Sequence, residues 1–188
     1  MKSVRYMALP VLLTLSAMSF AQSTVQPAVV SDSQTSFNTV KSLAGEWEGP
    51  VTLDPPMPNM PDMNNPVHIS LRVTSRGNAV VHEMQASGTP LDATKYDHPV
   101  TMFYLDGDHL NLVHYCDAGN RPRMVARKST HGETVEFDFV DLSGSDQDGH
   151  MHHAVLTVID ADHHTEDWTY MMPGNQPMHA HFDLHRVK

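Results

Sequence analysis

The 188-residue chain contains one cysteine, Cys116, so no internal disulfide can form and the fold must hold without one. Basic residues are also scarce: Lys and Arg number 12 against 22 acids, a formal net charge of −10. That balance excludes a nucleic-acid or anionic-lipid partner, since both need a basic footprint. No apolar run reaches the roughly 20 residues a membrane helix requires. No glycine-rich phosphate loop occurs, and no long segment keeps a helical period. Charged residues make up only 18%, and with 40% hydrophobic residues the chain is not disordered as a whole. The excess lies in histidine: 14 residues, more than Lys and Arg combined.

Residues 1–21 have the form of a cleaved signal peptide. Lys2 and Arg5 precede an apolar stretch from Met7 to Phe20, and Ser19-Phe20-Ala21 offers small residues at the two positions a signal peptidase reads. The expected compartment is therefore the periplasm or the exterior, with no membrane span in the mature chain. Removing this segment takes away two bases and no acid, leaving a net charge of −12. Residues 22–35 are polar and lack periodicity, a flexible lead-in. The single globular domain is expected over 36–188, a size that buries roughly two-thirds of the unfolded surface.

Ser36 to Leu43 can form a short helical turn, with Phe37, Val40 and Leu43 on one side. Beyond it, alternation of apolar and polar residues dominates. Glu46–Leu53, Val67–Val73 and Ala79–Ala86 have the pattern of strands. So do the two runs flanking Asp106-Gly107-Asp108, an Asp-Gly hairpin signal. Further short runs follow to Val187, giving about ten strands at regular spacing. The expected class is all-β, an antiparallel barrel, because closure removes the two open edges a meander would leave. Residues 54–66, rich in Pro and Met, cannot pair in a sheet and are expected as an inserted loop at a barrel mouth.

The segment Leu43-Ala44-Gly45-Glu46-Trp47-Glu48-Gly49 resembles the opening of lipocalin-like (calycin) barrels, in which a short helix leads into a Gly-x-Trp first strand. Arg186 stands where such barrels place a cation over that tryptophan, so Trp47 and Arg186 are the expected closure pair. The blocks Met102 to Leu110, His114-Tyr115-Cys116, Asn120 to Met124, and Ile159 to His163 followed by Trp168 are more specific. Together they resemble a family of exported bacterial domains of unknown function with a lipocalin-like fold, related at a distance to nitrobindin-type haem barrels. The resemblance covers roughly residues 36–188. It implies a fold and brings no established reaction.

Alternation sorts the candidate site residues by face. His114 shares a face with Leu110 and Leu112, and His82 with Val80 and Met84, so both histidines are expected inside the barrel. The expected function is binding of a small, partly apolar molecule there, with no cofactor required. Its wall would use Met102 or Phe103, Tyr104, Leu110, Leu112, His114, Trp168 and Tyr170, with Arg123 as an interior or rim cation. The alternative is copper or zinc binding on the outside. His179 and His181 share the polar face of the last strand, His150 and His152 share another, and Met57, Met60 and Met63 offer thioethers that suit Cu(I). The clusters around His150 and His163 should lie about 25–30 Å apart at ~3.3 Å per residue, too far to share one ion. Haem on an interior histidine is a third reading. No oriented catalytic set is found: His82-Glu83 lacks the second histidine of a helical zinc motif, and Ser129-Thr130-His131 has no triad context.

Overall fold

The computed structural model describes residues 31–56, 66–127 and 132–188. The expected signal segment 1–21, most of the expected lead-in, Met57, Met60, Met63 and His131 fall outside the described residues. One helix, α1 (Asp32–Ser42), precedes eleven strands. They are β1 (Gly45–Gly49), β2 (Val51–Asp54), β3 (Val67–Thr74), β4 (Ala79–Ala86), β5 (Val100–Asp106) and β6 (His109–Tyr115). β7 (Arg121–Ala126), β8 (Thr134–Ser143), β9 (His150–Val158), β10 (His163–Met172) and β11 (Gln176–Arg186) follow. All pairings are antiparallel, from β1 through β3 and onward in chain order to β11, and β11 returns to β1. Ten strands thus close a barrel. β2 is the extra one, continuing past Pro50 to pair with β11 alone. Among the described residues no helix is long and apolar enough to cross a membrane.

The helix forms because Ser31 caps it, its side chain accepting from the Gln34 amide at 3.2 Å, while Asp32 and Lys41 suit the two ends of the dipole. Its start at Asp32 lies four residues before the apolar pattern begins, since a cap is set by polar residues that periodicity does not see. Phe37, Val40 and Leu43 leave the helix as buried side chains and seal one end of the barrel. Trp47 sits beneath them with its indole N–H donating to the Leu43 carbonyl at 2.8 Å. The guanidinium of Arg186 lies 4.1 Å from the Trp47 ring centroid and donates to the Ala44 and Ala161 carbonyls, both at 2.9 Å. Gly45 is what admits it: a Cβ there would stand 2.2 Å from the Arg186 side chain, and the backbone runs at φ +146°.

Three inner rows show how the interior changes along the barrel. From the sealed end outward, β6 presents Leu110, Leu112, His114 and then Cys116 just past its end. β4 presents Val80, His82 and Met84, and β10 presents His164, Glu166, Trp168, Tyr170 and Met172. The sealed half is solid, with Ile69, Leu71, Phe103, Phe137, Leu156 and Leu184 buried around Trp47. Phe103 and Phe137 meet at 5.5 Å between ring centroids. The other half is hollow.

Candidate functional site

The cavity at the open half has a volume of about 420 Å³, inside the range of small-molecule sites. Its wall is apolar and sulfur-rich: Met84, Met151, Met172 and Met178 line it with Val67, Ala180 and Phe182. β9 supplies Met151 through a register shift. Thr169 pairs with His153 and Tyr170 with Met151, so His152 is an extra residue and Met151 turns inward three residues before Ala154. Unbranched thioethers fill irregular space and re-pack easily, which suits a wall that adapts to its occupant.

His114 and Trp168 form the floor. The His114 Nδ1 shares a 2.8 Å hydrogen bond with the Thr101 hydroxyl from the paired strand β5. Its Nε2 is buried and has no partner, although the residue is only 3% exposed. Burial, reinforced by repulsion from His82, pushes the imidazole down to about 3. His114 is therefore a neutral ring beside the cavity, with one buried polar atom unpartnered. Trp168 lies 5.6 Å from it between ring centroids, and 6.0 Å from the His82 ring.

Behind the floor lies a polar layer that the solid core surrounds. Glu166 is fully buried. Its carboxylate accepts from the Trp168 indole at 2.8 Å and faces the Nε2 atoms of His82 at 3.1 Å and His164 at 3.2 Å. Burial alone would push this carboxyl up; His82 and His164 facing it more than reverse that and hold it below the usual carboxylate range. The Nδ1 atoms of both histidines are buried without partners. His164 in turn meets the Trp47 ring at 4.2 Å, edge to face. This layer fixes the orientation of Trp168 from below.

The rim is acidic. Asp97 and Asp117 line the mouth, and no Lys or Arg does among the described residues. Burial and the neighbouring Asp97 raise the Asp117 carboxyl. The Cys116 thiol is also raised, by burial first and by Asp117 and Asp97 after it, so it stays protonated and is a poor nucleophile. Asn120 ties the rim loops together, its Nδ2 donating to the Ser145 and Gly149 carbonyls at 2.9 and 2.6 Å. Gly149 can only be glycine there, because a Cβ would lie 2.4 Å from the Met171 carbonyl oxygen.

Of the residues expected at the ligand site, the structure places His114, Trp168 and Tyr170 at the cavity. Leu110 and Leu112 face inward but lie in the solid half, and Phe103 is buried with them. Tyr104 is on the outer face, one residue from Phe103. Arg123 is outside as well, paired with Asp141 at 2.5 Å and with Asn111 at 3.3 Å. Strand alternation turns it outward, with its neighbours Pro122 and Met124 buried. The sequence reading missed Glu166, His164, Cys116 and the methionine wall. The signal was His164-x-Glu166-x-Trp168, whose spacing puts all three on one face once Trp168 is inside.

The candidate metal residues fall on the outside in separate groups. His181 pairs with Asp167 at 2.6 Å, and His179 Nδ1 meets the Thr169 hydroxyl at 3.0 Å. His150 and His152 touch each other at 3.2 Å and lean on Phe139. In the β9–β10 ladder His150 pairs beside Met171 while His164 pairs with Val158, so the His150 and His163 groups stand at opposite ends.

No protein-family model and no curated protein matches the chain. Among solved structures, Rv2717c from M. tuberculosis superposes with a TM-score of 0.58 at 14% identity, covering 81% of this chain and 98% of that one. A protein of unknown function from the DUF3598 family of Nostoc punctiforme gives 0.47 at 10% identity, covering 79% of this chain and 49% of its own length. The likeness to Rv2717c is one of fold. It assigns a barrel, and the chemistry has to come from the cavity itself.

Proposed function

We propose that this protein is an exported binding protein for a small, mainly apolar molecule that is neutral or cationic. The observation that carries the reading is the partnerless His114 Nε2 at the floor of a methionine-lined cavity. A buried polar atom without a partner costs about 1–3 kcal/mol, and a ligand group that bonds it recovers that cost. The acidic mouth at Asp97 and Asp117 favours a ligand whose outer end carries positive charge or none. Export is supported by the form of residues 1–21.

Haem, the reading that the nitrobindin resemblance brings, meets a mismatch of charge. An imidazole with a free Nε2 is the right donor, but the two propionates would face Asp97 and Asp117 with no described cation lining the mouth. Those residues do not fit the group.

The test uses Nile red, a neutral apolar dye, with Trp168 as intrinsic reporter. Expected are saturable one-to-one binding and a change in tryptophan emission. Ala180→Trp, which fills the wall, should abolish binding with the unfolding transition intact. Dye bound equally well by that variant would overturn the reading. A Soret band on haem addition that His114→Phe removes would replace the apolar-ligand reading with haem.

A further inference from the structure

On the outer wall, away from the cavity, three side chains converge at the sealed end. His163 begins β10 and stands directly opposite His185 of β11, with Asp183 two residues along β11 on the same outward side. The His163 Nε2 lies 2.6 Å from the Asp183 Oδ1, and the His185 Nε2 lies 3.9 Å from that same oxygen. The two imidazoles stack at 4.3 Å with an interplanar angle of 20°. One ligand atom from each residue falls within 4.8 Å of the other two. A simple ion pair accounts for His163 and Asp183. It does not account for a second imidazole turned to the same oxygen from beyond hydrogen-bond distance.

We infer that His163, Asp183 and His185 form a binding site for a borderline divalent cation such as Zn²⁺, Ni²⁺ or Cu²⁺. Bonds of 2.0–2.1 Å in a tetrahedral site put ligand atoms about 3.3 Å apart. The observed 2.6 and 3.9 Å bracket that value; turning the exposed His185 ring out of its stack on His163 brings the two lone pairs together, on strands whose register is already fixed. Two nitrogens and one carboxylate oxygen suit these ions better than Mg²⁺ or Ca²⁺. A water takes the fourth position. His181 and Asp167, farther along the same ladder, form a comparable His–Asp pair at 2.6 Å, but among the described residues no third ligand joins them. They serve as the internal control.

The experiment is calorimetric titration of tag-free full chain with ZnCl₂ and NiCl₂. One equivalent should bind, and His185→Ala, His163→Ala and Asp183→Asn should each weaken it by at least about tenfold. His181→Ala should change it less than twofold. His185 is 62% exposed, so its loss leaves the fold intact, which the unfolding transition checks. Electron paramagnetic resonance of the Cu²⁺ form should show two nitrogen ligands, falling to one in His185→Ala. No binding below 100 μM, equal weakening by His181→Ala, or an unchanged nitrogen count in His185→Ala would each overturn the assignment.

Discussion

The two ends of the barrel are made from the same strands and serve opposite ends. At the sealed end, helix α1 and Arg186 cover Trp47, and every inward side chain is packed against another. At the open end the same rows continue as methionines, a neutral imidazole and acids around space. The difference lies in what each row places at successive depths: Leu112 and then His114 on β6, or His164 and then Tyr170 and Met172 on β10. Stability is concentrated where the volume is filled, and the chemistry sits where it is not. Between the two lies the Glu166 layer, which belongs to the core by burial and to the site by what it orients.

The largest test of this division is to empty the sealed end. Trp47→Ala should cost about 5 kcal/mol, the upper end for an aromatic truncation, because the indole hydrogen bond and the Arg186 stacking go with the ring. Met172→Ala, at the hollow end, should cost less than about 1 kcal/mol, since its neighbour is already space. Urea unfolding of both variants measures the contrast, and equal losses would contradict it. The middle layer comes next. Glu166→Gln removes the charge that three N–H groups face and turns an amide donor toward at least one of them, for an expected loss of about 3 kcal/mol. The native carboxyl is depressed, so its stabilisation is present above an unfolded value of about 4.3 and is lost as pH falls below that. Glu166→Gln should therefore be less sensitive to acid over that range.

His114 tests the floor through pH. Its folded value of about 3 lies below the unfolded value of about 6.5, so the unfolded chain takes up the extra proton between them. That contribution is complete above pH 6.5 and is lost as pH falls toward 3, at up to about 1.4 kcal/mol per pH unit. Comparing the wild type with His114→Phe should show the variant gaining about 2 kcal/mol relative to wild type between pH 6.5 and 5. Parallel profiles would mean that the ring is protonated in the folded protein. The same shift keeps His114 neutral until far below pH 5.

Alternation in the sequence sorts inside from outside, which is why the barrel and the inward direction of His114 and His82 are legible from it. It carries no information on depth along the barrel axis. Leu110, Leu112 and His114 have one periodicity, yet two are core and one is cavity floor, a distinction set by where α1 and Trp47 plug the barrel. Glu166 was illegible for another reason. A carboxylate is rarely fully buried, and only the meeting of β4 and β10 across the interior supplies the His82 imidazole that joins its strand neighbour His164 in keeping it there. Met151 hid behind the extra residue in β9, since a bulge breaks the rule of two on which the reading depends. Arg123 faces outward by the same alternation that buries Pro122 and Met124.

A loss of a single hydrogen bond is the sharpest test of the rim. The Tyr170 hydroxyl donates to the Asp148 carbonyl and ties the turn before β9 to the cavity wall. Tyr170→Phe removes that one bond and leaves the ring, so the loss should be about 1 kcal/mol in urea unfolding. If the open end is a loosely held frame, the effect is local. Amide hydrogen exchange should quicken over 144–149 and at Met171, with protection at Trp47 and Leu184 unchanged. The Asn120 bonds to Ser145 and Gly149 remain in this variant and keep the loop attached, which confines the change to one side of the mouth. Exchange that quickens equally at Trp47 would show the barrel opening as one unit. The division between a sealed, stabilising end and a compliant, hollow end would then fail at the point where it predicts least.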